Sequence, residues 1–176
     1  MSSKLILATG LAAALAFSGS AFAQDKTADK DSQSFIKNAI EGNYAEIDNG
    51  KLAQEKGKND AVKQFGAMLV KDHSANNQKA IAVAKQIGVD PPTGSGVMAK
   101  AEYLKLKVLS GDSFDRSFAK GMVKDHESDI KEFEKEASAK TDAAAAFAKE
   151  TLPTLKHHLQ EAQTLEQKTQ ATTGSK

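Results

Sequence analysis

Three of the four histidines, His73, His126 and His158, fall on the apolar faces of three separate predicted helices, each near the middle of its helix. Neutral imidazole is a nitrogen ligand for zinc, copper, iron and manganese, and it exchanges protons near neutral pH. Brought to one level inside a bundle, three such rings can share a site. No other arrangement of residues in the chain carries chemistry so directly.

The spacing that places them is regular. Val62, Phe65, Leu69, His73, Asn76, Ala80, Val83 and Ile87 follow one another at steps of three or four, which is one face of a helix, and His73 stands where a hydrophobe belongs. Phe114, Phe118, Met122, His126, Ile130, Phe133 and Ala137 do the same, as do Ala144 or Ala148, Thr151, Leu155, His158, Ala162 and Leu165. His157 aligns with Glu150, Thr154 and Glu161 and is expected in solvent. A further helix has no histidine, but Phe35, Ala39, Gly42, Glu46, Gly50 and Ala53 make a face of mostly small residues with a carboxylate at its centre. Burying that carboxylate is costly unless a positive or hydrogen-bonding group meets it.

Apolar periodicity of this kind runs almost to the end of the chain, and strand-like alternation is absent. It predicts helices at about 32–57, 59–88, 97–109, 112–139 and 142–168. Ser32 or Ser34 can cap the first, Gly88 and Pro91-Pro92 end the second, and Lys140-Thr141-Asp142 turns into the last. Pro153 should kink the last helix or open a new first turn. Short connections favour antiparallel neighbours, so the reading is an all-α antiparallel four-helix bundle with a short extra helix in the crossover between the second and third long helices. Counted from the expected starts at 32, 59 and 112, Glu46, His73 and His126 each lie 14 residues in, and His158 lies 16 beyond 142. At a rise of about 1.5 Å per residue, all four sit near mid-height.

Two chemistries are open to this layer. In the first, Glu46, His73, His126 and His158 ligate one transition metal, which could be zinc, iron, manganese or copper, with Asp72, Asn76, Asp125 and Asp129 available to accept the second ring N–H of each histidine. In the second, the layer is only a hydrogen-bonded polar one, with Glu46 paired to a histidine. A repeat suits both: FGAMLVKDH ending at His73 and FAKGMVKDH ending at His126 share Phe, Val, Lys, Asp and His at an offset of 53.

Composition narrows the setting. A basic start, an apolar run from Leu5 to Ser18 and Ala21-Phe22-Ala23 form a signal peptide with cleavage after Ala23, which implies a periplasmic or secreted protein. The mature chain divides into a polar segment at 24–31, a helical domain at 32–168 and a disordered tail at 169–176. It has no stretch of the roughly 20 apolar residues that a membrane span needs. Without cysteine it has neither disulfides nor a thiol nucleophile. Loss of Lys4 from the 24 basic residues leaves 23 against 23 acidic ones, with Arg116 the single arginine, so nucleic acid is not an expected partner. The sequence contains no G-x-S-x-G elbow and no phosphate-binding glycine loop, and the reading is of a binding protein rather than an enzyme.

The segments MLVKDH, FDRSFAKGMVKDH and LPTLKHHL, together with the helix that carries Glu46, resemble the exported bacterial family catalogued as domain of unknown function 4142, over roughly Asp31 to Gln167. The resemblance implies a ferritin-like bundle of the periplasm or outer membrane. Di-iron bundles place a glutamate three residues before each histidine. Here those positions hold Val70, Val123 and Leu155, which points to a mononuclear, histidine-rich site. Sequestration, sensing or stress protection through that site is one expected role. A metal-free envelope protein acting through its surface is the other.

Overall fold

The computed structural model describes residues 29–171, and every regular element among them is helical: α1 at Lys30–Lys56, α2 at Asp60–Gln86, α3 at Val97–Lys107, α4 at Gly111–Ala139 and α5 at Ala143–Ala171. The expected signal peptide lies outside the described residues, as do residues 24–28 of the polar segment and 172–176 of the tail. No described helix is long and apolar enough to cross a membrane.

The helix ends show where local signals acted. Asp29, rather than Ser32 or Ser34, caps α1, its carboxylate accepting from the backbone N–H groups of Asp31 and Ser32 at 3.0 Å each. Ser32 is instead buried, its hydroxyl donating to Glu136 at 2.6 Å and lying 2.8 Å from the carboxylate of Asp142. The carboxylate is the stronger acceptor for two orphan amides at the positive end of a helix. Asn59 caps α2 and Asp142 caps α5 in the same manner. The turn between α1 and α2 is pinned from across the molecule, because buried Asp115 of α4 accepts from the backbone N–H of both Lys58 and Asn59. α5 runs through Pro153 without interruption. The ring frees the Lys149 carbonyl, and both residues face solvent, where water can satisfy it. α5 also continues past 168 to Ala171, with Thr169 buried and its hydroxyl returned to the Glu166 carbonyl at 3.0 Å, so residues 169–171 are helix rather than tail.

α1 packs chiefly on α2 and α4 on α5; the two pairs meet along α2–α5 and α1–α4, and α3 lies across α1 and α4. The small-residue face of α1 explains its first partner. A Cβ on Gly50 would come within 2.6 Å of the Gly66 carbonyl oxygen, and a Cβ on Gly66 within 2.6 Å of the Gly50 carbonyl oxygen. The two backbones therefore touch, at a distance that only paired glycines permit.

The core is split into two apolar clusters. One gathers Phe35, Ile40, Ala84, Phe133, Phe147 and Leu155 with their neighbours, and the other gathers Leu52, Phe65, Leu69, Phe118, Met122 and Leu165 with theirs. On α1, α2, α4 and α5 alike, the residue between the two clusters is polar: Glu46, His73, His126 and His158 are 3 %, 4 %, 0 % and 0 % exposed. The seam of α2 differs from expectation beyond His73, since Asn77 and Ala84 are buried while Asn76 and Val83 are only partly so. A helix turns 100° per residue, so a straight face drifts by one position over several turns.

Candidate metal centre

His73, His126 and His158 converge. Their rings lie 5.8, 5.2 and 5.4 Å apart between centroids, and one nitrogen from each falls within 4.8 Å of the other two. Three atoms so spaced always leave a point no more than about 2.8 Å from each, against roughly 2.0–2.1 Å for a zinc–imidazole bond, so closing the set takes under about 0.8 Å per nitrogen. The cluster is bracketed by aromatic packing, with Phe65 edge-on to His158 at 6.4 Å and to Phe118 at 6.1 Å. The repeated motif thus brings its two phenylalanines together as well as its two histidines.

Each ring is oriented by one oxygen. His73 Nδ1–H donates to Asn43 Oδ1 at 2.9 Å, His126 Nδ1–H to the Met122 carbonyl at 2.9 Å, and His158 Nε2–H to Asp72 Oδ2 at 3.1 Å. Two of these acceptors are unambiguous oxygens; the orientation of Asn43 is assigned from a relay in which Thr151 donates to Asn76 and Asn76 donates to Asn43. The tautomers follow from the acceptors. They leave His73 Nε2, His126 Nε2 and His158 Nδ1 with a lone pair each, and these three nitrogens are buried without a hydrogen-bond partner in the protein. Five other buried side-chain atoms among the described residues also lack a partner, Asn43 Nδ2 and Glu46 Oε2 among them, but these three belong to rings that converge.

The electrostatics keep the rings neutral. Burial, reinforced by His126 and His158, holds His73 well below the ordinary histidine range. Burial also lowers His126, against the opposing pull of the Met122 carbonyl and two aspartates, and it lowers His158 against Asp72. Neutral imidazole is the metal-binding form.

The other expected ligand takes a different place. Glu46 is buried, but it is not in the converging set: it faces α4, where Asp125 and Asp129 lie. Burial first and the Asp125 charge second raise its carboxyl to about 8, and burial with the Glu46 charge raises Asp129 to about 7. Burial and then Glu102 raise Asp125. Without a metal Glu46 therefore holds a proton at neutral pH, and it lies outside the set that converges. Among the described residues, no hydrogen bond joins Asp125 or Asp129 to a histidine, and Asn76 is hydrogen-bonded to Asn43 rather than to a histidine. His157 is exposed. Sequence reasoning misses two of the orienting groups. Asn43 stands one turn before Glu46 on the same face and was open to detection; a backbone carbonyl such as that of Met122 carries no sequence signal.

A cleft of about 230 Å³ between α2 and α5, lined by Asp72, His73, Asn76, Thr151, Thr154 and His158 among others, reaches the cluster from the surface. Lys79 and Glu150, paired at 2.6 Å, also line it.

The fold and site together define a class: a helical bundle with three buried, neutral histidines in its middle layer that could hold a metal ion. A family model described as domain of unknown function (DUF4142) matches residues 18–165, and the chain belongs to that family. Among solved structures, it is similar to a DUF305 fragment from Deinococcus radiodurans, at a TM-score of 0.71 and 12% identity over 80% of this chain and 98% of that one. At that identity the likeness is one of fold. No curated protein matches the sequence.

Proposed function

We propose that this is an exported metal-binding protein, a ferritin-like antiparallel four-helix bundle that holds one transition-metal ion on His73 Nε2, His126 Nε2 and His158 Nδ1. The observation that carries the reading is the trio of buried lone pairs, one per ring, each opposite an N–H already accepted by an oxygen. That is the pattern a histidine ligand needs, with one nitrogen free for the metal and the other fixing tautomer and ring direction.

Three neutral imidazoles suit zinc or copper better than manganese, which favours oxygen donors. A metal so held keeps its positive charge and one open position, and the cleft beside His73 and His158 supplies access. The alternation of the two apolar clusters along α1, α2, α4 and α5 supports the antiparallel arrangement, and the leader-like first residues support action in the periplasm or outside the cell. The corresponding role is sequestration or sensing of the ion.

Metal analysis of untagged mature protein, with titration of cobalt(II) as a coloured zinc substitute, tests this. One ion per chain is expected, and its d–d bands should vanish in His126→Leu. A protein that takes up neither zinc, copper nor cobalt would leave only a polar layer.

A further inference from the structure

All the strongly exposed large apolar side chains among the described residues lie on one short helix and the residue that ends it: Val97 of α3 and Val108 just after it are each 82% exposed, Met98 76% and Leu104 61%. Val97, Ala101, Leu104 and Val108 follow at steps of four, three and four, which aligns them in a single outward stripe. The inner side of the same segment is accounted for, since Tyr103, Leu106 and Leu109 pack against the apolar cluster that contains Phe118 and Met122. The stripe therefore serves no packing role.

Lysines border it on both sides. At 100° per residue, Lys100 and Lys107 fall on one flank and Lys105 on the other. Among the described residues neither Lys100 nor Lys105 pairs with an acid, whereas Glu102, turned away from the stripe, lies 3.9 Å from Lys124 of α4. Lys107 leans over the Tyr103 ring, 5.8 Å from its centroid.

We propose that α3 is an interfacial helix that seats this protein on an anionic lipid surface, with the stripe among the acyl chains and the lysines at the headgroup phosphates. An apolar stripe flanked by lysines is the face such a helix presents to lipid, and here the opposite face, which would be polar in a free helix, is covered by the bundle. A protein partner fits less well. An 11-residue helix is only about 16 Å long, and four aliphatic side chains without an aromatic anchor fall far short of the roughly 800 Å² per side of a stable interface, in which lysine is also depleted. A second copy would set lysine against lysine. Partitioning into lipid grows in proportion to the apolar area inserted, so a small stripe still contributes, and each lysine near an anionic surface strengthens it about five-fold.

The chain has no tryptophan, so Leu104→Trp gives a mature protein whose emission reports this one position. Vesicles of equimolar phosphatidylcholine and phosphatidylglycerol should shift that emission to the blue, and phosphatidylcholine vesicles at the same lipid concentration should not. Adding Lys100→Glu and Lys105→Glu should weaken partitioning by more than about twenty-fold. Leu104→Glu in the otherwise unaltered chain should abolish co-sedimentation. All these side chains are exposed, so the far-ultraviolet spectrum and thermal midpoint should stay those of the parent. No shift with either vesicle, an equal shift with both, or co-sedimentation of Leu104→Glu at the parent level would overturn the proposal. A shift with polyglutamate but not with vesicles would overturn it too, in favour of an acidic protein partner.

Discussion

Replacing His126 with leucine separates a metal centre from a polar layer. His126 is fully buried; its Nδ1–H bonds the Met122 carbonyl one turn back, and its Nε2 has no partner in the protein. Leucine of similar bulk removes the orphan nitrogen, which recovers about 1–3 kcal/mol of desolvation cost, and loses one neutral hydrogen bond worth about 0.5–1.5 kcal/mol. The Met122 carbonyl keeps its helical partner. The change of shape costs under about 1.5 kcal/mol. Metal-free His126→Leu is therefore expected to lie between about 2 kcal/mol less stable and about 2.5 kcal/mol more stable than the parent. The assay is urea denaturation followed by far-ultraviolet circular dichroism, with a chelator present. With zinc at a hundred times its dissociation constant, the parent gains about 2.7 kcal/mol and the variant nothing, so adding metal should move the difference in stability towards the parent by that amount. A loss above about 3 kcal/mol in the metal-free variant would refute the reasoning, because it would mean that the histidine holds the core together by itself.

The same geometry sets three further outcomes. Asp72→Asn removes the carboxylate that orients His158 at 3.1 Å and should weaken metal binding about 10–100-fold in titrations while the fold persists. Gly66→Ala drives a methyl group to 2.6 Å from the Gly50 carbonyl oxygen and 2.8 Å from the Ala53 Cβ, so α1 and α2 must part, and denaturation should show a loss of about 1–3 kcal/mol or more. The third concerns pH. The folded state binds extra protons at Glu46, raised to about 8, and at Asp129, raised to about 7, so stability should fall as pH rises towards 8. The three histidines are lowered and act oppositely, their contribution being lost as pH falls below the ordinary histidine value near 6.5. The two slopes oppose each other near pH 6.5, and above about pH 7.5, where unfolded histidine is also neutral, the carboxyl slope dominates at up to about 1.4 kcal/mol per pH unit per group; denaturation midpoints of Glu46→Gln should lose the part due to Glu46. An unchanged slope in Glu46→Gln would contradict the buried-acid assignment.

Helix identity and level were legible in the chain because both depend on local quantities. The apolar period and the turn residues mark four long helices, and a constant rise per residue turns position along each into height, so His73, His126 and His158 are placed in one layer by counting alone. Rotation about each helix axis and choice of rotamer depend on the packed neighbours. Those decide that Glu46 turns towards Asp125 and Asp129, that His73 is oriented by Asn43 and His158 by Asp72, and that Asp29 rather than Ser32 caps α1. They also decide which face of α3 is left outside, since its residues read as apolar on two sides and only docking against α1 and α4 chooses the inner one. Residue types and spacing placed three imidazoles at one level; the tertiary structure brought one nitrogen of each within 4.8 Å of the others and gave each ring its acceptor, because only packed helices fix rotation and rotamer.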